Sequence, residues 1–149
     1  MPKTRNPLTV SGLLFWCSNL EIGPFSATLS GMPTSLILII DDELELAESL
    51  AMVLEMKDYR VTVKPTAEEG LAELAAEEPG LVVMDGSLPG IDGDEAIRQI
   101  RESGSALPIL AVRAEEERRE TMFAAGANAF LAKPLEMPEF LAEVGRLLG

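Results

Sequence analysis

Five charged side chains each stand at the end of a short apolar run. Asp41 and Asp42 close LILIIDD, Asp85 closes LVVMD, Arg113 closes PILAVR and Lys133 closes AFLAK. Three carboxylates held close together repel, so at neutral pH they need a cation between them or a raised pKa. Oxygen-only ligands select a hard metal, and a small acidic pocket that keeps waters suits Mg2+. With that ion bound, one carboxylate can attack a phosphorus atom. The ion and Lys133 would offset the charge that builds on the phosphoryl oxygens. The product of such a reaction is an aspartyl phosphate. Gly90 and Gly93 let the loop after Asp85 bend close to the metal.

That chemistry requires the five residues to meet, and the pattern along the chain supplies a way. Leu36–Ile40 is a short aliphatic run, as expected of a strand buried on both faces. Asp42 can cap a helix in which Ala47, Leu50, Ala51 and Leu54 share a face. Residues 59–64 read as a second strand, and Thr66 with Glu69 makes a capping box that opens a helix to about Glu77. A third strand spans Leu81–Met84, and a third helix within Asp92–Glu102 turns Ala96, Ile97 and Ile100 inward. Pro108–Val112 is a fourth strand, followed by a helix over Glu116–Ala125 that ends at Gly126. Ala129–Ala132 is the fifth strand, and Pro138 opens a last helix with Phe140, Val144 and Leu147 on one face. Strands alternating with helices predict a parallel α/β sheet wrapped on both faces. Sites in such sheets lie beyond the carboxyl ends of the strands, near the point where strand order reverses. Asp41, Asp42, Asp85, Arg113 and Lys133 all fall on that edge.

Composition narrows the function further. The chain has 149 residues, a net charge of −13 and a pI near 4.3, which argues against nucleic acid or an anionic membrane surface as partner. There is no histidine, which excludes a Ser-His-Asp triad, a Cys-His pair and imidazole metal ligands. Cys17 is the only cysteine, so no internal disulfide forms and a reducing, cytoplasmic setting is expected. Residues 1–35 carry only Lys3, Arg5 and Glu21 as ionised side chains and show no sustained periodicity. They read as a disordered extension, or as a leader preceding a true start at Met32. Their apolar patch is too short to span a membrane. Residues 36–149 form one domain with no visible repeat or linker, and no output domain is expected after Gly149. MDGSL (Met84–Leu88) faintly suggests a haloacid-dehalogenase phosphatase, but the nucleophile position of that signature is Val83 here.

Taken together, IIDDE (Ile39–Glu43), LVVMDGSLPGIDGDE, the Ala-Gly-Ala at 125–127 and FLAKPL (Phe130–Leu135) resemble the receiver domain of two-component response regulators. The resemblance covers Leu36 to Gly149. It implies a flavodoxin-like (βα)5 fold with strand order 2-1-3-4-5. It also implies that Asp85 accepts phosphoryl from a histidine kinase or phosphotransfer protein, and that the product signals to a downstream protein target. Asp41 and Asp42 would hold Mg2+ together with Asp85 and the backbone carbonyl of Ser87. Lys133 would contact the phosphoryl group, the Lys133–Pro134 bond would be cis, and Phe130 would be the aromatic that follows the switch.

One position departs from the family. Receivers usually carry Thr or Ser at the end of the fourth strand, and this chain has Arg113. Arg113 can reach the phosphoryl as a bidentate donor, pair with unphosphorylated Asp85, or point to solvent. The segment from Arg113 to Gly126 is also about two residues shorter than usual, and Ser87 and Glu115 stand where dephosphorylation is tuned. Two readings therefore remain: a stand-alone phosphoacceptor, and a pseudo-receiver that binds proteins without being phosphorylated. Neither is an enzyme in the ordinary sense.

Overall fold

The computed structural model describes residues 35–149. The expected extension and the choice of Met32 as start lie outside the described residues. Five strands follow in chain order: β1 (Leu36–Ile40), β2 (Arg60–Lys64), β3 (Leu81–Asp85), β4 (Ile109–Arg113) and β5 (Ala129–Ala132). Between and after them run α1 (Leu44–Met56), α2 (Ala67–Ala76), α3 (Gly93–Glu102), α4 (Arg119–Ala125) and α5 (Met137–Leu148). All strand pairs are parallel and the order is β2-β1-β3-β4-β5. The expected 2-1-3-4-5 order is therefore the observed one, with the reversal between β1 and β3.

Every residue of β1 and β3 is buried, which explains why both read as unbroken apolar runs instead of alternating ones. Strand alternation sends Leu38, Ile40, Val82 and Met84 to the face covered by α2, α3 and α4. It sends Ile37, Ile39, Leu81 and Val83 to the face covered by α1 and α5. Two cores result, one on each face. The helices bury the stripes their spacing announced: Ala47, Leu50 and Leu54 on α1, Ala96, Ile97 and Ile100 on α3, Phe140 and Val144 on α5. Among the described residues, no helix is long and apolar enough to cross a membrane.

Local signals held with two exceptions. Thr66 Oγ1 accepts from the Glu69 amide at 3.1 Å, as the capping box requires. Gly126 ends α4 with φ of +126°, a left-handed conformation that favours glycine. Asp42, however, does not cap α1. The Asp41 carboxylate instead takes the Glu43 amide at 2.9 Å, Glu43 is the N-cap, and α1 starts at Leu44, one residue later than an Asp42 cap would place it. The fourth helix is also shorter than its sequence suggests. Glu116–Arg118 forms a 3-10 turn and only Arg119–Ala125 is α-helical. The physical reason is burial: Met122 is the first residue of this segment to reach the core, so the charged stretch before it has nothing to anchor a longer helix.

Candidate functional site

Register brings the five singled-out residues to one end of the sheet. Asp41 directly follows β1, and its amide donates to the Lys64 carbonyl at 3.0 Å, prolonging the pairing with β2. Asp85 is the last residue of β3, opposite Val112 of β4. The Lys133 amide donates to the Arg113 carbonyl at 2.9 Å, which extends the β4–β5 pairing by one step. Gly93, at the start of α3, packs against the Asp85 carbonyl so closely that a Cβ there would lie 2.2 Å from it. This contact fixes the loop after Asp85 against the strand end.

Asp41, Asp42 and Asp85 each offer a carboxylate oxygen within 4.8 Å of the others. Asp41 and Asp85 are buried, at 2% and 3% exposure, while Asp42 is exposed at the mouth. Lys133 Nζ reaches Asp41 Oδ2 at 3.2 Å, Asp85 Oδ2 at 3.6 Å and Glu43 Oε1 at 3.4 Å. The Ser87 amide donates to Asp85 Oδ1 at 3.1 Å, so Ser87 meets Asp85 through its backbone N–H. The Lys133–Pro134 peptide bond is cis. Glu43 was not singled out in the sequence; as the third acid of IIDDE it was there to be noticed.

The electrostatics follow from this crowding. Burial pushes the Asp85 carboxyl up from 3.8 to about 6, and the neighbouring Asp41 adds to the rise. The Ser87 amide and Lys133 oppose it without cancelling it. Burial alone would lower Lys133, but the attraction of Asp85, Asp41 and Glu43 outweighs it and holds the ammonium above its usual pKa. One lysine is thus shared among several carboxylates and does not saturate them. A donor set of carboxylate oxygens alone, partly buried and open on the Asp42 side, fits a small hard divalent cation such as Mg2+.

In the unphosphorylated chain Arg113 neither pairs with Asp85 nor points to solvent. Its side chain is only 13% exposed, so it does not point to solvent. Its ion-pair partner is Glu115, with Nε 2.6 Å from Oε1, and Nη1 donates to the carbonyl of Gly86. The side chain lies across Gly86, where a Cβ would meet Arg113 Cδ at 2.8 Å. Gly86 is therefore the floor on which the arginine rests. Phe130 is buried at 4% exposure, with the Arg119 guanidinium 5.5 Å above its ring and 5.6 Å from that of Phe123.

Residues 37–145 match the model of the response regulator receiver domain family. Response regulator MprA of Mycolicibacterium vanbaalenii is 37% identical over 114 residues, covering 75% of this chain and 49% of that protein. An uncharacterized transcriptional regulatory protein of Bacillus subtilis, YkoG, is 36% identical over 110 residues, covering 72% and 48%. The chain spans about half the length of the curated relatives it matches. Among solved structures, a CheY-like response regulator receiver domain protein from Methanospirillum hungatei superposes with a TM-score of 0.74 at 28% identity. It covers 78% of this chain and 94% of that one. Fold, strand order and family match agree, and the chain belongs to the response regulator receiver domain family.

Proposed function

We propose that Asp85 accepts a phosphoryl group from the phosphohistidine of a sensor kinase or phosphotransfer protein. The observation that carries this reading is the placement of Asp85. It is a buried carboxylate ending β3, with Asp41 and Asp42 oxygens within 4.8 Å and Lys133 Nζ at 3.6 Å. Asp85 attacks phosphorus, the N–P bond of the donor breaks, and imidazole leaves with the bonding pair as the O–P bond forms. Because these 149 residues include no histidine, the phosphohistidine lies outside them. Mg2+, held by Asp41, Asp42, Asp85 and the Ser87 carbonyl, would neutralise phosphoryl charge. Lys133, already in contact with Asp85, would follow the transferred group and hold one of its oxygens. The chain accepts and later loses phosphate instead of turning over a substrate, and passes its signal to a protein target. We place it in the cytoplasm beside its kinase.

A second reading, the pseudo-receiver, draws on Arg113, which stands in the usual hydroxyl position and is tied to Gly86 and Glu115. Intact-mass spectrometry after incubation with Mg2+ and acetyl phosphate separates the two. One phosphoryl adduct on the wild type, labile in alkali and missing from Asp85→Ala, is the expected result. No adduct on the wild type, with one appearing on Arg113→Thr, would favour the pseudo-receiver.

A further inference from the structure

Phosphorylation alters the charge balance of this pocket in a way the acids and Lys133 do not meet. A divalent cation and Lys133 would bring three positive charges to a pocket that holds the carboxylates of Asp41, Asp42 and Asp85, with Glu43 also against Lys133. Phosphoryl transfer turns the Asp85 monoanion into a phosphate dianion and adds one negative charge. Lys133 can hold one phosphoryl oxygen, but its single charge is already shared among Asp41, Asp85 and Glu43 and does not cover the added one. A further cation lies beside the backbone that follows Asp85: the guanidinium of Arg113, bonded to the carbonyl of Gly86. Its fork has more donors than its two present partners use, and its planar shape suits phosphoryl oxygens. Glu115 holds it through a side chain that is 52% exposed, a contact weakened by water on one side.

We infer that Arg113 is the phosphoryl ligand of this chain, taking the place of the absent hydroxyl, and that Glu115 is the counter-ion it gives up. The inference rests on phosphorylation at Asp85. In the unphosphorylated chain Glu115 and the Gly86 carbonyl keep the guanidinium beside the pocket. When the dianion forms, the stronger acceptor draws Arg113 away from Glu115. Glu115 is then freed at the start of the β4–α4 connection, two residues beyond the strand. The sensing contact is thus an exchange of ion pairs, where the family commonly uses a neutral hydroxyl.

The test uses beryllofluoride with Mg2+ as the phosphoryl mimic, followed by titration and by the NMR signal of the Arg113 Nε–H. In the wild type that signal shifts on binding. Glu115→Gln removes the competitor and tightens beryllofluoride binding by about tenfold, the lower range for a charged hydrogen bond. Arg113→Gln weakens binding by about tenfold, and adding Glu115→Gln to it restores nothing. A gain from Glu115→Gln that persists without Arg113 would show plain charge repulsion and overturn the exchange. An Arg113 signal unmoved by bound beryllofluoride would overturn it as well. A wild type that takes up neither beryllofluoride nor acetyl phosphate would instead remove the phosphoacceptor reading beneath it.

Discussion

Replacing Asp85 by Asn should stabilise the metal-free protein, by an amount that depends on pH. Burial raises the Asp85 carboxyl from 3.8 to about 6, so between these values the folded state binds more proton than the unfolded chain. Stability contributed by this group therefore falls as pH rises through that window. At 1.36 kcal/mol per pH unit, the folded protein gives up about 3 kcal/mol by pH 7.5 to keep a charge in this place. Asn removes that charge while keeping the shape and an oxygen for the Ser87 amide. The variant should match the wild type at pH 4 and exceed it by about 2–3 kcal/mol at pH 7.5. Lys133 keeps Asp41 and Glu43 as partners, which limits the loss on that side. Urea unfolding in chelator at several pH values measures the difference. Millimolar Mg2+ should then narrow it by stabilising the wild type, since a ligand of the native state raises its stability by mass action. A difference that does not change with pH, or a variant less stable at pH 7.5, would refute the reasoning.

Substitutions at two further positions test how the fold and the site are held. Arg101 ties α3 to the end of α4, donating to the Gly126 carbonyl at 2.8 and 3.0 Å, to the Ser105 carbonyl at 3.1 Å and to Asn128 Oδ1 at 2.8 Å. Arg101→Ala should cost about 2 kcal/mol in denaturant unfolding, and Arg101→Lys should recover less than half because only the planar fork serves several acceptors. At Gly93 an added Cβ would stand 2.2 Å from the Asp85 carbonyl and 2.7 Å from Gly86 Cα, both backbone atoms that cannot swing aside. Gly93→Ala should cost about 3 kcal/mol by the same assay and lower the yield of phosphoryl adduct in intact-mass spectra.

The architecture was legible because it rests on local signals that agree with one another. Buried parallel strands need unbroken apolar runs, and Leu36–Ile40 and Leu81–Met84 provide them. Once the strands were placed, topology alone put Asp41, Asp85 and Lys133 on one edge, and the 3.2 and 3.6 Å contacts of Lys133 follow from that placement. Arg113 was not legible in the same way. Its strand position was clear, but its orientation depends on a surface made by Gly86, 27 residues away, and on the reach of an exposed glutamate. Neither leaves a periodicity to read. The fourth helix was overextended for a related reason. Glu116 to Glu120 suits a helix by propensity, yet no buried residue holds it until Met122.

The rest of Arg113 upon Gly86 carries a consequence for how such a site can arise by descent. In the orientation seen here the arginine uses the space over a residue without a Cβ, since a Cβ there would lie 2.8 Å from its Cδ. With a larger residue at 86, an arginine at 113 would take another rotamer, and glycine at 86 is what lets it lie in the orientation seen here. Once both are in place, the two are linked: a side chain regained at 86 lifts the arginine away, and a hydroxyl regained at 113 leaves the Gly86 carbonyl with the Gly93 amide at 3.3 Å as its remaining donor. A position at the end of β4 and one in the loop after β3 thus become a single heritable unit, in which a change at one alters what the other can hold.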